Sequence, residues 1–503
     1  MVKTGKRNHL PLLMAFVLAL AVVPGLTAGP PPGDQETPEL PGHQVLSAES
    51  HETVAHLDGS ALSLPWAIPF AGILLSIAIF PLLAPHFWHR HYGKITALWA
   101  MALILPLAMK FGFTTVTYEL THMALLEYFP FIILLLALFT IAGGVRLTGS
   151  LQGSPPLNLT FLIVGTLLAS WMGTTGAAML LIRPIIRANK WRKRKVHVII
   201  FFIFLVANIG GSLTPLGDPP LFLGFLHGVD FFWTTVAMFK PMMTAVLILW
   251  ILFYVIDSFY FKQEVQPPSA RENVSSEKFG IEGGVNLLLL LGVIGSVLLS
   301  GLWEPGVSLT VYHVEVFLQD LIRDILLLVL VFVSLKVTAT GIRQRNDFTW
   351  FPIVEVAKLF AGIFVTIIPA IAILRAGEHG ALRSVIGAVS TPEGNPVNAT
   401  YFWATGLLSS FLDNAPTYLV FFNTAGGDAD VLMHQFPQTL LAISAGAVFM
   451  GANTYVGNAP NFMVRSIASE MDISMPSFFG YMLKYSLPIL IPIFVFVTWV
   501  FFL

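Results

Sequence analysis

The chain has 503 residues, of which 55% are hydrophobic, 13% aromatic and only 11% charged, well under the roughly 25% charged residues of soluble domains. With 27 Lys+Arg against 28 Asp+Glu, no charge excess points to nucleic acid, and the absence of cysteine excludes disulfides, thiolate metal sites and cysteine nucleophiles. The composition is that of an all-α polytopic membrane protein embedded in a lipid bilayer, since each run of about 20 apolar residues crosses a hydrocarbon core.

Residues 1–29 carry Lys3, Lys6 and Arg7, then an apolar run from Leu10 to Leu26, then Thr27, Ala28 and Gly29. This is the layout of a signal peptide, with an uncleaved first membrane helix as the alternative. Residues 30–65 are Pro-rich and acidic without Lys or Arg, an external polar segment. Apolar runs follow at about 66–84, 95–110, 127–145, 157–186, 196–227 and 236–256, the first transporter repeat, 66–256. The polar linker 257–284 separates them from a second repeat, 285–503, with runs at about 285–302, 321–340, 353–374, 400–424, 436–470 and 479–502.

Short cytoplasmic loops retain Lys and Arg. Arg90 with Lys94, Arg146, the run Arg187–Lys195, the linker, and Arg343 with Arg345 are therefore expected inside, against Lys110, Arg375 and Arg383 on the outer side. Segment 157–186 then enters and leaves on the cytoplasmic face and 400–424 on the outer face, as re-entrant hairpins do. At a constant offset of 240 residues, GSLTPLGDPPLF (211–222) aligns with GANTYVGNAPNF (451–462), and Leu167, Leu168, Ser170, Ile203 and Ala207 meet identical residues. The expected fold is thus two inverted-topology repeats, each with a re-entrant hairpin and a discontinuous transmembrane helix. Such interrupted spans at matching positions are the sequence pointer to a secondary transporter.

The interruptions are expected at the tips 173–176 (GTTG) and 413–416 (DNAP) and at the breaks 210–220 and 451–460. Gly173, Gly211, Gly217, Pro220, Pro416, Gly451, Gly457 and Pro460 stop the helical ladder and free backbone groups that hydrocarbon cannot satisfy. Hydroxyls and amides of Thr174, Thr175, Ser212, Thr214, Asn414, Asn453, Thr454 and Asn458 either complete an oxygen shell for a hard cation or merely satisfy that backbone. Asp218 and Asp413 lie deep in uncharged segments, where an ionisable group marks an ion or proton path by default. Sodium bound at Asp413 would compete with a proton, which is sufficient for antiport; the alternatives are a helix cap for Asp413 and a turn residue for Asp218. Glu355 and Lys358 are spaced for an ion pair, and His86, His89 and His91 fall in a cytoplasmic loop. No nucleotide-binding or metalloprotease motif occurs, so the chain reads as neither an ATP-driven pump nor an enzyme, and no cofactor is called for beyond transported sodium and protons.

SSFLDNAPTYLVFF (409–422) resembles the Leu-Asp-Asn hairpin of NhaD-type sodium/proton antiporters. GGSLTPLGDPPLFL (210–223) and GANTYVGNAPNFMV (451–464) resemble broken-helix strings of the ion transporter superfamily, which includes citrate and dicarboxylate carriers. The resemblance is strongest to its sodium/proton antiporter or citrate transporter (CitMHS-like) branch. It implies two inverted repeats, a homodimer joined through scaffold helices, and residence in the bacterial inner membrane. The first hairpin departs from the NhaD pattern, with Gly173-Thr174-Thr175 where that family has an Asp-Asn pair, and the Ser-Asn-Thr signature of dicarboxylate carriers is missing from both tips. The leading expectation is sodium/proton antiport centred on Asp413 with Asp218 as partner. A sodium- or proton-coupled citrate or dicarboxylate carrier is the alternative, and a channel is a third.

Overall fold

A computed structural model describes residues 57–149, 151–264 and 280–503. The expected signal peptide, most of the external segment and the middle of the linker lie outside the described residues. Eight helices there are long and apolar enough to cross a membrane: Leu64–Leu83, Pro85–Phe111, Phe113–Ala142, Pro155–Met172, Phe231–Phe261, Val285–Leu302, Phe351–Arg375 and Phe478–Phe501. A further 20-residue helix, Leu318–Val337, carries Asp320, Arg323, Asp324 and Lys336. The chain is a multi-pass helical membrane protein.

The expected interruptions are present. Pro155–Met172 and Thr174–Ala188 are two packed helices separated at Gly173, whose φ of +80 lies in the region that favours glycine. Asn398–Phe411 and Asn414–Thr424 form the corresponding pair in the second half. After the pair in each half comes a broken helix. The first runs Val196–Leu205, a turn at Ile209–Gly211, then Pro219–Leu226. The second runs Pro437–Met450, Gly451–Asn453, then Ala459–Glu470. Proline stands in the first turn of five of these helices, where a missing N–H costs nothing: Pro155 and Pro156, Pro219 and Pro220, Pro416, Pro437, and Pro460.

Several expectations need correction. His86 and His89 are exposed on the first turns of Pro85–Phe111 rather than in a loop. Lys358 points its ammonium at the Tyr92 ring, 5.7 Å away, and no ion pair to Glu355 occurs among the described residues. The basic run 187–195 is not wholly a solvated loop, because Arg192 is 1% exposed. Its Nη2 lies 2.6 Å from Oδ1 of the fully buried Asp257, which also bonds His197 Nε2 at 2.7 Å and accepts from Asn158 Nδ2 at 2.9 Å. Asp257 itself belongs to Phe231–Phe261, which continues five residues into the expected linker.

Two short antiparallel ribbons interrupt the all-helical expectation. Arg146–Thr148 pairs with Gly280–Glu282, where Arg345 and Arg146 hold the Glu282 carboxyl below its usual range. Ser308–Val311 pairs with Val314–Phe317 through Tyr312 and His313, both at positive φ, the conformation of a two-residue hairpin turn.

Candidate functional site

Four half-helices begin at the interruptions, and their N-cap residues are Gly173, Asp218, Asp413 and Asn458. Gly173 and Asp413 are related by the 240-residue offset, and so are Asp218 and Asn458. The backbone around each break is held in the same way. In the first half Ser170 Oγ donates to Gly210 O at 2.5 Å and Thr214 Oγ1 donates to Ser170 O. In the second, Ser410 Oγ donates to Met450 O at 3.0 Å and Thr454 Oγ1 donates to Ser410 O at 2.5 Å. Every residue in the second set is its counterpart plus 240.

Glycine is required where each break folds back on itself. A Cβ on Gly217 would stand 2.1 Å from Gly211 O, and one on Gly457 would stand 2.6 Å from Gly451 O. Thr174 N donates to Gly217 O at 2.8 Å, which docks the first hairpin tip onto the first break.

The polar side chains converge on Asp218, which is 1% exposed. Its Oδ1 accepts from Thr174 Oγ1 at 3.0 Å and from Asn458 Nδ2 at 2.9 Å, and its Oδ2 accepts from Asn414 Nδ2. Three interruptions from both halves thus meet on one carboxylate, and the pairs Thr174/Asn414 and Asp218/Asn458 are each related by the offset. Although Asp218 stands at an N-cap, its side chain makes no capping bond. Asp413 does cap: its Oδ1 accepts from Ala415 N at 3.1 Å, and it is only half-buried.

The other expected ligands divide. Thr214 and Thr454 are engaged with backbone, since Thr454 Oγ1 also accepts from Val456 N and Gly457 N at 3.1 Å each. Ser212 Oγ likewise donates to Ile209 O. Asn453 Nδ2 donates to Ser410 Oγ at 2.9 Å. The carbonyl oxygens Asn414 Oδ1 and Asn453 Oδ1 are buried with no partner among the described residues, an arrangement that normally signals an unfilled acceptor role. Thr175 is half-buried and lines a cavity of about 100 Å³ beside Gly173, Thr174, Asp218 and Pro460. No lysine or arginine lines it.

Asn208 and Asn461 were not singled out from the sequence. Asn208 Nδ2 donates to Asn461 Oδ1 at 2.7 Å, and Asn461 Nδ2 donates to Gly451 O and Thr454 O at 2.9 Å each. They lock the two breaks together, and their signal was an amide in an otherwise apolar string.

A family profile described as "Putative citrate transport" matches residues 59–502. The chain belongs to this citrate-transport family. The match spans both hairpin pairs, both breaks and all eight long helices, so the site just described lies wholly within the region that defines the family. No curated protein matches the chain.

Proposed function

We propose that the protein is a secondary active transporter that exchanges sodium for protons across the bacterial inner membrane by alternating access. Its halves act as inverted-topology repeats, with the two helix pairs as re-entrant hairpins and the two breaks as discontinuous transmembrane helices. The recurrence of the Ser–Thr backbone bonds at the 240-residue offset supports this reading. The basic run at the far end of Phe231–Phe261 supports a cytoplasmic location for that end.

The observation that carries the chemistry is a buried carboxylate, Asp218, ringed by three neutral donors with no basic partner. An unpaired charge at such depth costs several kcal/mol, so the site favours either a proton on the carboxyl or a cation beside it, and one displaces the other. Sodium would use the carboxylate oxygens, the Thr174 hydroxyl and amide oxygens of Asn414 and Asn458 after the amides turn over, since each amide carries both donor and acceptor ends. Asp413 serves as the second carboxylate, adding negative charge while capping its helix.

A citrate or dicarboxylate carrier is the second reading. It is favoured by the family description and by a cavity walled by the first residues of three half-helices, at Thr174, Pro219 and Ala459, where the positive ends of the helix dipoles attract anions. Purified protein in liposomes holding a pH-sensitive dye separates the two. Sodium-dependent dissipation of an imposed proton gradient, lost in Asp218→Asn, supports antiport; a response to citrate with silence toward cations supports the carrier.

A further inference from the structure

A second buried acid lies outside this site. The 30-residue helix Phe113–Ala142 is interrupted at its middle by a π-helical turn, Ala124–Tyr128, a distortion frequent at functional sites. That turn carries Glu127, whose Oε2 is buried with no hydrogen-bond partner among the described residues. Its Oε1 lies 3.7 Å from Nε2 of His227, and the two side chains are 15% and 11% exposed.

The tautomer of His227 follows from its other nitrogen. Nδ1 lies 2.9 Å from Leu223 O, and a carbonyl only accepts, so Nδ1 carries a hydrogen. In the neutral ring Nε2 then carries none, and a lone pair faces a carboxylate oxygen. The pair becomes complementary only when one proton is added between Nε2 and Oε1. Glu127 and His227 are therefore built to hold one extra proton.

Their position gives that proton a source. Leu125, Leu126, Leu226 and Gly228, neighbours of the two residues in sequence, line a chamber of about 450 Å³, and Glu127 and His227 stand behind that wall rather than in it. Asp230, Glu304, Glu315, Asp320 and Asp324 also line it, with Arg323 held by Asp320 and Asp324 at 2.8 Å each. The excess of carboxylates raises the local concentration of cations, protons included. His227 is the C-cap of Pro219–Leu226 and Asp218 is its N-cap, so the pair and the proposed transport carboxylate stand at the two ends of one short helix, about 12 Å apart.

We infer that Glu127 and His227 form a proton-loading site between the acidic chamber and Asp218, an inference that rests on the antiport reading for its destination. A proton arriving from chamber water binds between Oε1 and Nε2, leaves the pair with one more positive charge, and departs toward Asp218 when that carboxylate releases its cation. The other polar groups around the pair do not substitute for it. Tyr128 donates its hydroxyl to Ala357 O at 2.9 Å, Lys358 of the packed helix Phe351–Arg375 turns to Tyr92, and the Phe422 ring faces His227 from Asn414–Thr424.

Infrared difference spectra of the purified protein, taken between alkaline and acidic pH with isotope-labelled histidine, test the site without transport. One carboxyl band and one imidazole band should change together. Glu127→Gln should remove the first and alter the second, His227→Gln should do the reverse, and Asp218→Asn should leave both in place. Imidazole bands unchanged in Glu127→Gln would overturn the inference. In liposomes, both variants should slow sodium-driven proton movement about tenfold or more while sodium–sodium exchange persists; unchanged proton movement would also overturn it. Wild-type protein that moves no protons with any cation would overturn the antiport reading instead, and the spectra would still decide whether the pair binds a proton.

Discussion

Hydroxyls of one type do different work at this site, and substitution separates them. Thr214 Oγ1 is bonded to Ser170 O, so Thr214→Val leaves a buried carbonyl unsatisfied and should cost about 1–3 kcal/mol of stability, read as a lower melting temperature in detergent. Thr174 Oγ1 is bonded to the Asp218 carboxylate, so Thr174→Val should instead shift the pH dependence and cation preference of transport. Asparagine caps helices as well as aspartate, so Asp413→Asn should fold normally and weaken exchange without abolishing it; complete loss would return Asp413 to the centre of the mechanism. Both carboxylates were legible as deep acids in the sequence. Which one gathers the ligands was not, because Asn414 and Asn458 lie 196 and 240 residues from Asp218, and only the meeting of the two halves brings them together.

At the scale of elements, the Arg192–Asp257 pair joins the basic stretch after the first hairpin to the end of Phe231–Phe261. Both side chains are fully buried, so Asp257→Asn leaves an uncompensated cation and should cost about 3–5 kcal/mol, seen as a loss of thermal stability or of extractable protein. Gly217→Ala drives a methyl into Gly211 O and should cost about 1–3 kcal/mol by forcing the backbone apart; a melting temperature equal to wild type would show that the break relaxes freely. The glycines, prolines and offset pattern made these interruptions readable in advance. The helix Phe113–Ala142 was read short, beginning at 127, because Thr114, Thr115, Glu119 and His122 dilute its first half. That shortening left Glu127 at a span end when it lies mid-helix. The ribbon at 308–317 was also passed over, although its β-branched alternation across Tyr312 and His313 is a hairpin signal.

Across the whole molecule, the acidic chamber and the basic stretch occupy opposite ends of Phe231–Phe261, since Asp230 precedes that helix and Glu264, which accepts from Arg194 N at 2.7 Å, follows it. A 31-residue helix is about 46 Å long, enough to reach through the hydrocarbon and both interfaces. The acidic chamber and the basic stretch are therefore separated in space by the length of that helix. Substrate identity is a property of the convergent carboxylate site, and spacing alone left it open because amide and hydroxyl side chains serve cations and anions alike. The most direct test is dye-monitored exchange in liposomes by wild type and Asp218→Asn, with sodium, lithium, potassium or citrate added to an imposed proton gradient. The account predicts dissipation by sodium in wild type and none in Asp218→Asn. Equal exchange by the two proteins would contradict it.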